Sequence, residues 1–313
     1  MTTPSRPKTF RHEALFYRGD DEFIAGTVPF IRHAVTANEP VLVSVHPDKA
    51  ERIKAELNGE SDALQFIDMP ALGHNPARII PAWREFLAEN LAVGSPVRGI
   101  GEPVWPGRSG EELAECRRHE WLLNLAFADS PAWWLLCPYD AEGLPEEVLT
   151  DACATHPHVV EGGLTRSSDS YCDPIRDTDP FRDPLPPPAT DPEQLTFTRD
   201  DLPDIRRVVA RHAEDAGLDD ERTGDLLVAA TEVATNSVRY AHGKGRLSVW
   251  REDARLLCEV RDDGVLADPL AGRERPAPSW ARGRGIWLAN QLCDLVQIRT
   301  TPEGNVVRLH MSV

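Results

Sequence analysis

Three short stretches in the last third of the chain carry residue types suited to cation and phosphate chemistry. They are Glu232-Val-Ala-Thr-Asn236, Asp262-Asp-Gly264 and Gly283-Arg-Gly285. Glu232 and Asn236 are four apart, so on a helix they point to one face, one turn apart. A carboxylate stacked on an amide could hold a divalent cation and polarise a water or hydroxyl. Mg2+ suits such a pair, because it favours oxygen ligands and takes only one or two from protein. Asp262 ends a strand pattern whose inward row is Leu256, Cys258 and Val260. A carboxylate in that row is costly unless bonded, and an amino group such as that of adenine would satisfy it. Gly283 and Gly285 precede the apolar helix start Ile286-Trp-Leu-Ala289. Glycines there let backbone amides approach an anion, and the helix N-terminus adds partial positive charge. Arg273, Arg275, Arg282 and Arg284 supply cations before and within this motif. Each stretch also has a plain reading: two solvated polar residues, an Asp-Gly turn, a glycine at a helix start and a solvated loop.

The surrounding pattern says what would position these groups. A helix is expected over 203–216, with Pro203 in its first turn and Gly217 at its end, and a second over 220–242 behind an Asp219 cap. On the second, Leu227, Ala230, Ala234, Val238 and Ala241 form the expected buried side. Strands follow at 246–251 and 256–262, then an irregular Pro/Gly/Arg stretch, a helix at 285–293, and closing strands at 295–300 and 306–312 around the turn Pro302-Glu-Gly-Asn305. Helices first and a mostly antiparallel sheet afterwards predict an α+β sandwich.

In this order and context the three stretches resemble the N, G1 and G2 boxes of the GHKL ATPase family, over 195–313. The helix Ala230-Thr-Glu-Val-Ala-Thr-Asn-Ser-Val-Arg-Tyr-Ala241 is most similar to the compact branch of anti-sigma-factor serine/threonine kinases. That resemblance implies a Bergerat fold binding ATP and Mg2+. Glu232 would be general base towards a partner's Ser/Thr hydroxyl, and Asn236 the Mg2+ ligand. Asp262 would read adenine, while Gly264, Gly283 and Gly285 would give the nucleotide backbone room, with Arg282 and Arg284 beside it. The implied partners are a sigma factor or a STAS-type anti-anti-sigma protein. The chain departs from the family where Val265-Leu266 replace a further glycine, and where Tyr240 stands for a histidine common among relatives.

The first half reads differently. Short apolar strands at 14–17, 41–45, 64–68, 97–101 and 133–137 alternate with helical patterns at 21–37, 48–57, 76–91, 109–128 and 145–153. Asp21, Asp48 and Ser109 are the expected N-caps. Strands apolar on both faces predict an α/β domain with a mostly parallel sheet covered by helices on both sides. It has no P-loop motif. Residues His12-Glu-Ala-Leu-Phe-Tyr17, Gly101-Glu102-Pro-Val-Trp105 and Glu120 within Arg118–Asn124 resemble the MEDS sensory domain. Glu102 follows a strand's C-terminal end, where open parallel sheets place their crevice; His12, Glu102, Glu120 and Tyr139 are the candidate sensory-pocket residues. The alternative is that these are internal polar contacts holding the fold. Cys153-Ala-Thr-His156-Pro-His158, with Cys137 and Cys172 elsewhere, offers metal-ligand types, but the spacing is not a zinc signature.

The division expected is 1–165 sensory domain, 166–194 Pro/Asp-rich linker and 195–313 ATPase domain; the linker is an extended spacer or is ordered by packing on either domain. A net charge of −17 argues against nucleic-acid backbone binding. Scattered cysteines without CxxC spacing, a polar N-terminus and no apolar run of spanning length suggest a cytoplasmic chain with free thiols and no membrane association. A homodimer is left open. The functional expectation is an anti-sigma-type regulator that binds Mg-ATP and sequesters a sigma factor, phosphorylates an anti-anti-sigma protein on Ser/Thr, or does both. Two alternatives are an ATP-gated binding module without catalysis and an orphan sensor histidine kinase. The last is the poorer match, because His212 shares an apolar side with Ile205, Val208 and Val209.

Overall fold

The computed structural model describes residues 9–59, 64–90, 96–276 and 283–313. They divide into two compact units, Met1–Phe181 and Arg182–Val313.

The first unit is built on a seven-stranded sheet of order β3-β2-β4-β5-β1-β6-β7. Its strands are β1 (Arg11–Tyr17), β2 (Val41–Val45), β3 (Leu64–Asp68), β4 (Val97–Gly101), β5 (Trp133–Asp140), β6 (His158–Glu161) and β7 (Leu164–Ser167). All neighbours pair parallel except β6 and β7. The helices are α1 (Gly19–Thr36), α2 (Pro47–Leu57), α3 (Met69–Gly73), α4 (Ile79–Asn90), α5 (Gly110–Ala126) and α6 (Glu146–Thr155). The α/β class with a mostly parallel sheet is as the apolar runs require. On α1, Phe23, Thr27, Phe30, Ile31 and Ala34 recur at helical spacing and are all buried.

Two of the expected caps move. Ser109 and Glu112 form a reciprocal capping box on α5, as anticipated. By contrast α1 starts after Arg18 without a side-chain cap. Helix α2 is capped by His46, whose ring nitrogen accepts from the Asp48 amide. The β6–β7 hairpin was not anticipated, although Gly162-Gly163, both at positive φ, is a hairpin signal.

The second unit has a fully antiparallel sheet of order β11-β12-β10-β9-β8. It comprises β8 (Glu193–Thr198), β9 (Lys244–Glu252), β10 (Arg255–Asp262), β11 (Leu295–Thr301) and β12 (Gly304–Ser312), with α7 (Leu202–Ala216), α8 (Asp220–Tyr240) and α9 (Gly285–Leu292). The helices share one apolar core with the sheet, including Phe197, Val209, Leu226, Val233, Leu247, Cys258 and Leu309. The other sheet face is polar yet buried. There Glu259 pairs with Arg308 at 2.6 Å and His310 meets Gln297 at 3.0 Å. Burying such charges is tolerable only when they are paired and bonded.

The Pro/Asp-rich stretch is shared between the units. Asp179 pairs with Arg118 of α5. In the second unit, Arg299 and Arg308 donate to the carbonyls of Asp183 and Pro186. Residues 193–198 then form the edge strand β8 beside β9. His212 is half-buried and bonds Glu193 of that strand at 2.8 Å, so it sits at the edge of the core.

One clamp closes the second unit. Asp294, just before β11, accepts from Arg222 in the first turn of α8 and from the Ser312 amide at 2.7 Å. Burial pushes the Asp294 carboxyl up, but the Arg222 guanidinium and Ser312 amide outweigh it and hold it below the ordinary 3.8. A depressed carboxyl stabilises the fold above its unfolded value and loses that contribution as pH falls through the folded value. Asp294→Asn should therefore cost this unit about 1–3 kcal/mol at neutral pH and flatten its acid limb below pH ~4. Urea titrations at pH 7 and pH 3 check this: an equal deficit at both would exclude the ion pair as the cause.

Candidate functional site

Helix α8 is long, is capped by Asp219 onto the Arg222 amide, and lays a row of small and apolar residues on the sheet. That row is Leu226, Ala229, Ala230, Val233, Ala234 and Ser237. It is rotated from the expected one, since Leu227 and Val238 are only partly buried. The rotation brings Ser237 over the end of β10 and leaves Glu232 and Asn236 half-buried on the flank. Among the described residues nothing hydrogen-bonds either side chain. The start of α9 comes against this pair. A Cβ added to Gly285 would lie 2.8 Å from Glu232 Oε2 and 3.0 Å from Asn236 Nδ2. Only glycine leaves that space open.

Asp262 is held from three sides. Ser237 Oγ donates to Oδ2 at 2.6 Å, and the Gly264 amide and Asn305 Nδ2 donate to Oδ1 at 2.9 Å each. A carboxylate offers about four acceptor positions, so one remains, on Oδ2. Asn305 does more than close the β11–β12 turn. Its Oδ1 accepts from the Leu266 amide at 2.9 Å and from Thr300 Oγ1 at 3.0 Å. Asp262, Asn305 and Thr300 are register partners across three adjacent strands, which is why one amide can reach both neighbours. Sequence reasoning missed Ser237, Thr300 and this role of Asn305, because strand register is invisible in a single chain.

A cavity of about 450 Å³ opens here, walled by Asn236 and Tyr240 of α8, Asp262 and Asn305 of the sheet, Gly283, and Ile286 of α9. Residues 265–274 cover part of it. They fold back on α9, where Asn290 Nδ2 donates to the Gly272 carbonyl at 3.0 Å. Val265 and Tyr240 are exposed at its rim. Gly283 adopts φ +86°, and Gly264 is buried against Ala241. Arg284 is exposed and Arg273 buried; Arg282 lies outside the described residues. A smaller hollow of about 370 Å³, lined by Lys244, Arg246 and Glu303, shares Asp262 and Asn305. It lacks Asn236, which lines the larger one; Glu232 lines neither and stands beside Asn236 on the flank of α8.

This arrangement coincides with what the family comparisons find. Residues 11–157 match the methanogen/methylotroph, DcmR sensory domain, MEDS. Residues 195–311 match the histidine kinase-like ATPase domain. The chain is a fusion of a MEDS domain and a GHKL-type ATPase domain. No curated protein matches the chain. A regulatory ATP-binding protein follows from this pairing, with Mg2+ the usual companion of ATP in such domains. No helix among the described residues is long and apolar enough to cross a membrane.

In the MEDS domain the four expected pocket residues separate into two places. Glu102 lies at the C-terminal sheet edge with Tyr17 and Lys49. It accepts from Tyr17 at 2.8 Å and from the Lys49 ammonium. Burial pushes its carboxyl up, opposed by Lys49. His12 and Glu120 instead meet under the sheet, 3.1 Å apart, and Tyr139 stands edge-on to His156 there at 5.6 Å. Burial, and then His156, pulls the His12 imidazole down to about 4. Cys137 and His156 join this second group, whereas Cys153, His158 and Cys172 do not. All six cysteines are free thiols.

If Asp262 carries the adenine contact, Asp262→Asn should weaken ATP binding about tenfold or more, the scale of one hydrogen bond to a charged group. Asp263→Asn, an exposed carboxylate paired with Lys244, should leave affinity within about twofold. Calorimetry with Mg2+ and ATP reads both; equal losses would remove Asp262 from that role.

Proposed function

We propose that this protein is a regulator whose ATPase domain binds Mg-ATP and phosphorylates a Ser/Thr hydroxyl on a STAS-type anti-anti-sigma partner, sequesters a sigma factor, or does both. The MEDS domain would set when it does so. The observation that carries this reading is the unengaged Glu232–Asn236 pair held open by Gly285, one turn of helix from the Asp262 bracket.

Asn236, with no described partner, offers an amide oxygen to Mg2+, and Gly285 supplies the room. When bound, the ion neutralises phosphate charge. In the transfer itself, the partner's hydroxyl oxygen bonds to the γ-phosphorus, and the bond to the β-bridging oxygen breaks. The hydroxyl proton passes to the Glu232 carboxylate, and ADP leaves. The chain's contribution is placement: Asp262 and Asn236 line the cavity, and Glu232 stands one helical turn before Asn236 on the same face of α8. Arg284, exposed at the start of α9, and the amides of Gly283 and Gly285 favour anionic phosphate.

A second reading has its own observation. Leu266, where relatives carry a flexible glycine, is pinned through its amide to Asn305. A restrained cover suits an ATP-gated binding module that never turns over.

Glu232→Ala should retain ATP affinity within about threefold but abolish transfer, the expected loss for a residue acting only on the reacting proton. Labelled ATP with a candidate STAS-type substrate measures it. Binding without transfer in the wild type supports the gated module. No calorimetric binding of ATP with Mg2+ would sink both readings.

A further inference from the structure

The group under the MEDS sheet has a feature that the nucleotide chemistry does not use. Four wholly buried side chains, His12 (β1), Glu120 (α5), Cys137 (β5) and His156 (after α6), bring their ligand atoms within 4.8 Å of one another. His12 Nε2 lies 3.1 Å from Glu120 Oε2 and 3.3 Å from Cys137 Sγ. His156 Nε2 lies 3.4 Å from the same carboxylate oxygen, and Cys137 Sγ lies 3.6 Å from it. Tetrahedral bonds of about 2.0–2.3 Å, as Zn2+ makes to N, O and S, place neighbouring ligand atoms roughly 3.3–3.6 Å apart. Four of the six spacings are close to a tetrahedron's edges, and the two that involve His156 with His12 and with Cys137 lie within 4.8 Å.

The outer hydrogen bonds decide which ring nitrogens face inward. His156 Nδ1 sits 2.8 Å from the Ala152 carbonyl, which can only accept, so Nδ1 carries the hydrogen. The Asn124 amide nitrogen donates to the carbonyls of Glu120 and Thr155. Its Oδ1 is therefore the acceptor 3.1 Å from His12 Nδ1, and that nitrogen also carries the hydrogen. Ring roles assigned this way follow from the network. Both imidazoles thus turn a bare Nε2 lone pair towards a carboxylate. The single Cys137 thiol proton can serve His12 Nε2 or Glu120 Oε2, which leaves His156 Nε2 facing the carboxylate acceptor against acceptor unless something positive lies between. His156 Nε2 and Glu120 Oε1 are buried with no hydrogen-bond partner, a costly arrangement. Metal-ligating histidines show this same pattern, with the far ring N–H tied to a carbonyl or amide and the near nitrogen free.

The geometry points to a divalent transition-metal site in the MEDS domain, ligated by His12 Nε2, Glu120 Oε2, Cys137 Sγ and His156 Nε2 and suited to Zn2+. Four protein donors make it closed, the form of structural rather than catalytic zinc. Thiolate with imidazole ligands disfavours Mg2+ and Ca2+. Binding displaces the Cys137 thiol proton to solvent. The ion would tie β1 and β5 to α5 and to the chain leaving α6, just before the β6–β7 hairpin. This site is independent of ATP.

The test uses the full chain stripped with chelator and titrated with Co2+. One equivalent should bind and give tetrahedral visible bands with a thiolate-to-metal band in the near ultraviolet, and Zn2+ should displace it. Zn2+ should also raise the melting temperature of the stripped wild type. Cys137→Ser should lose the near-ultraviolet band, whereas Cys153→Ser, outside the cluster, should keep it. The wild-type titration stands even if the Cys137 variant folds poorly. No stoichiometric Co2+ uptake by the wild type, or a thiolate band that survives Cys137→Ser, would overturn the site.

Discussion

The ATPase half of this protein is organised by one carboxylate. Asp262 ends β10 beside the helix core, where an unpaired charge would be expensive. It is retained because α8 supplies Ser237, its own turn supplies the Gly264 amide, and β12 supplies Asn305. These bonds tie the helix that carries Glu232 and Asn236 to the sheet that forms the cavity floor. The position of α8 over the cavity floor is therefore set by a bracket of short polar contacts. Asn305 passes the constraint on to Leu266 and Thr300, so the start of the cover over the cavity shares the same anchor.

The MEDS half meets a similar difficulty differently. Its parallel sheet is covered on both faces, as continuous apolar strands require. Within that apolar setting it keeps several buried polar groups, two of which bear on function. Tyr17, Lys49 and Glu102 lie at the carboxyl ends of the strands, where such sheets form crevices. The other cluster is enclosed beneath β1 and β5. Enclosure with mutually facing acceptors is hard to account for by packing, because hydrophobic residues of similar volume would avoid the cost. An ion removes the conflict outright. The two clusters also differ in accessibility: Lys49 is part-exposed, whereas every ligand atom of the second belongs to a buried residue.

Helix periodicity made much of this legible. The α1 stripe, the Asp219 cap, Pro203 and Gly217 of α7, and the apolar row of β10 are local features, decided by residues within a few positions of one another. So is the Glu232–Asn236 pairing, since four residues of helix bring two side chains to one face. The phase of α8 was less legible. Small residues surround the helix on several sides, so Leu227 and Val238 competed with Leu226 and Ser237 for the sheet. Tertiary packing chose the latter.

What the sequence by itself determined was the two-domain plan, both fold classes and the order of the nucleotide motifs, because these rest on periodicity and on short spacings. What only the tertiary structure decided was which distant residues meet. His12, Glu120, Cys137 and His156 are spread over 145 positions and converge because β1 pairs with β5 while α5 and α6 pack against each other. Glu102, grouped with His12, Glu120 and Tyr139 on sequence grounds, leaves for the sheet edge because its strand ends there. Ser237, Asn305 and Thr300 reach Asp262 or its bracket through helix phase and strand register, which depend on chain segments far apart in sequence.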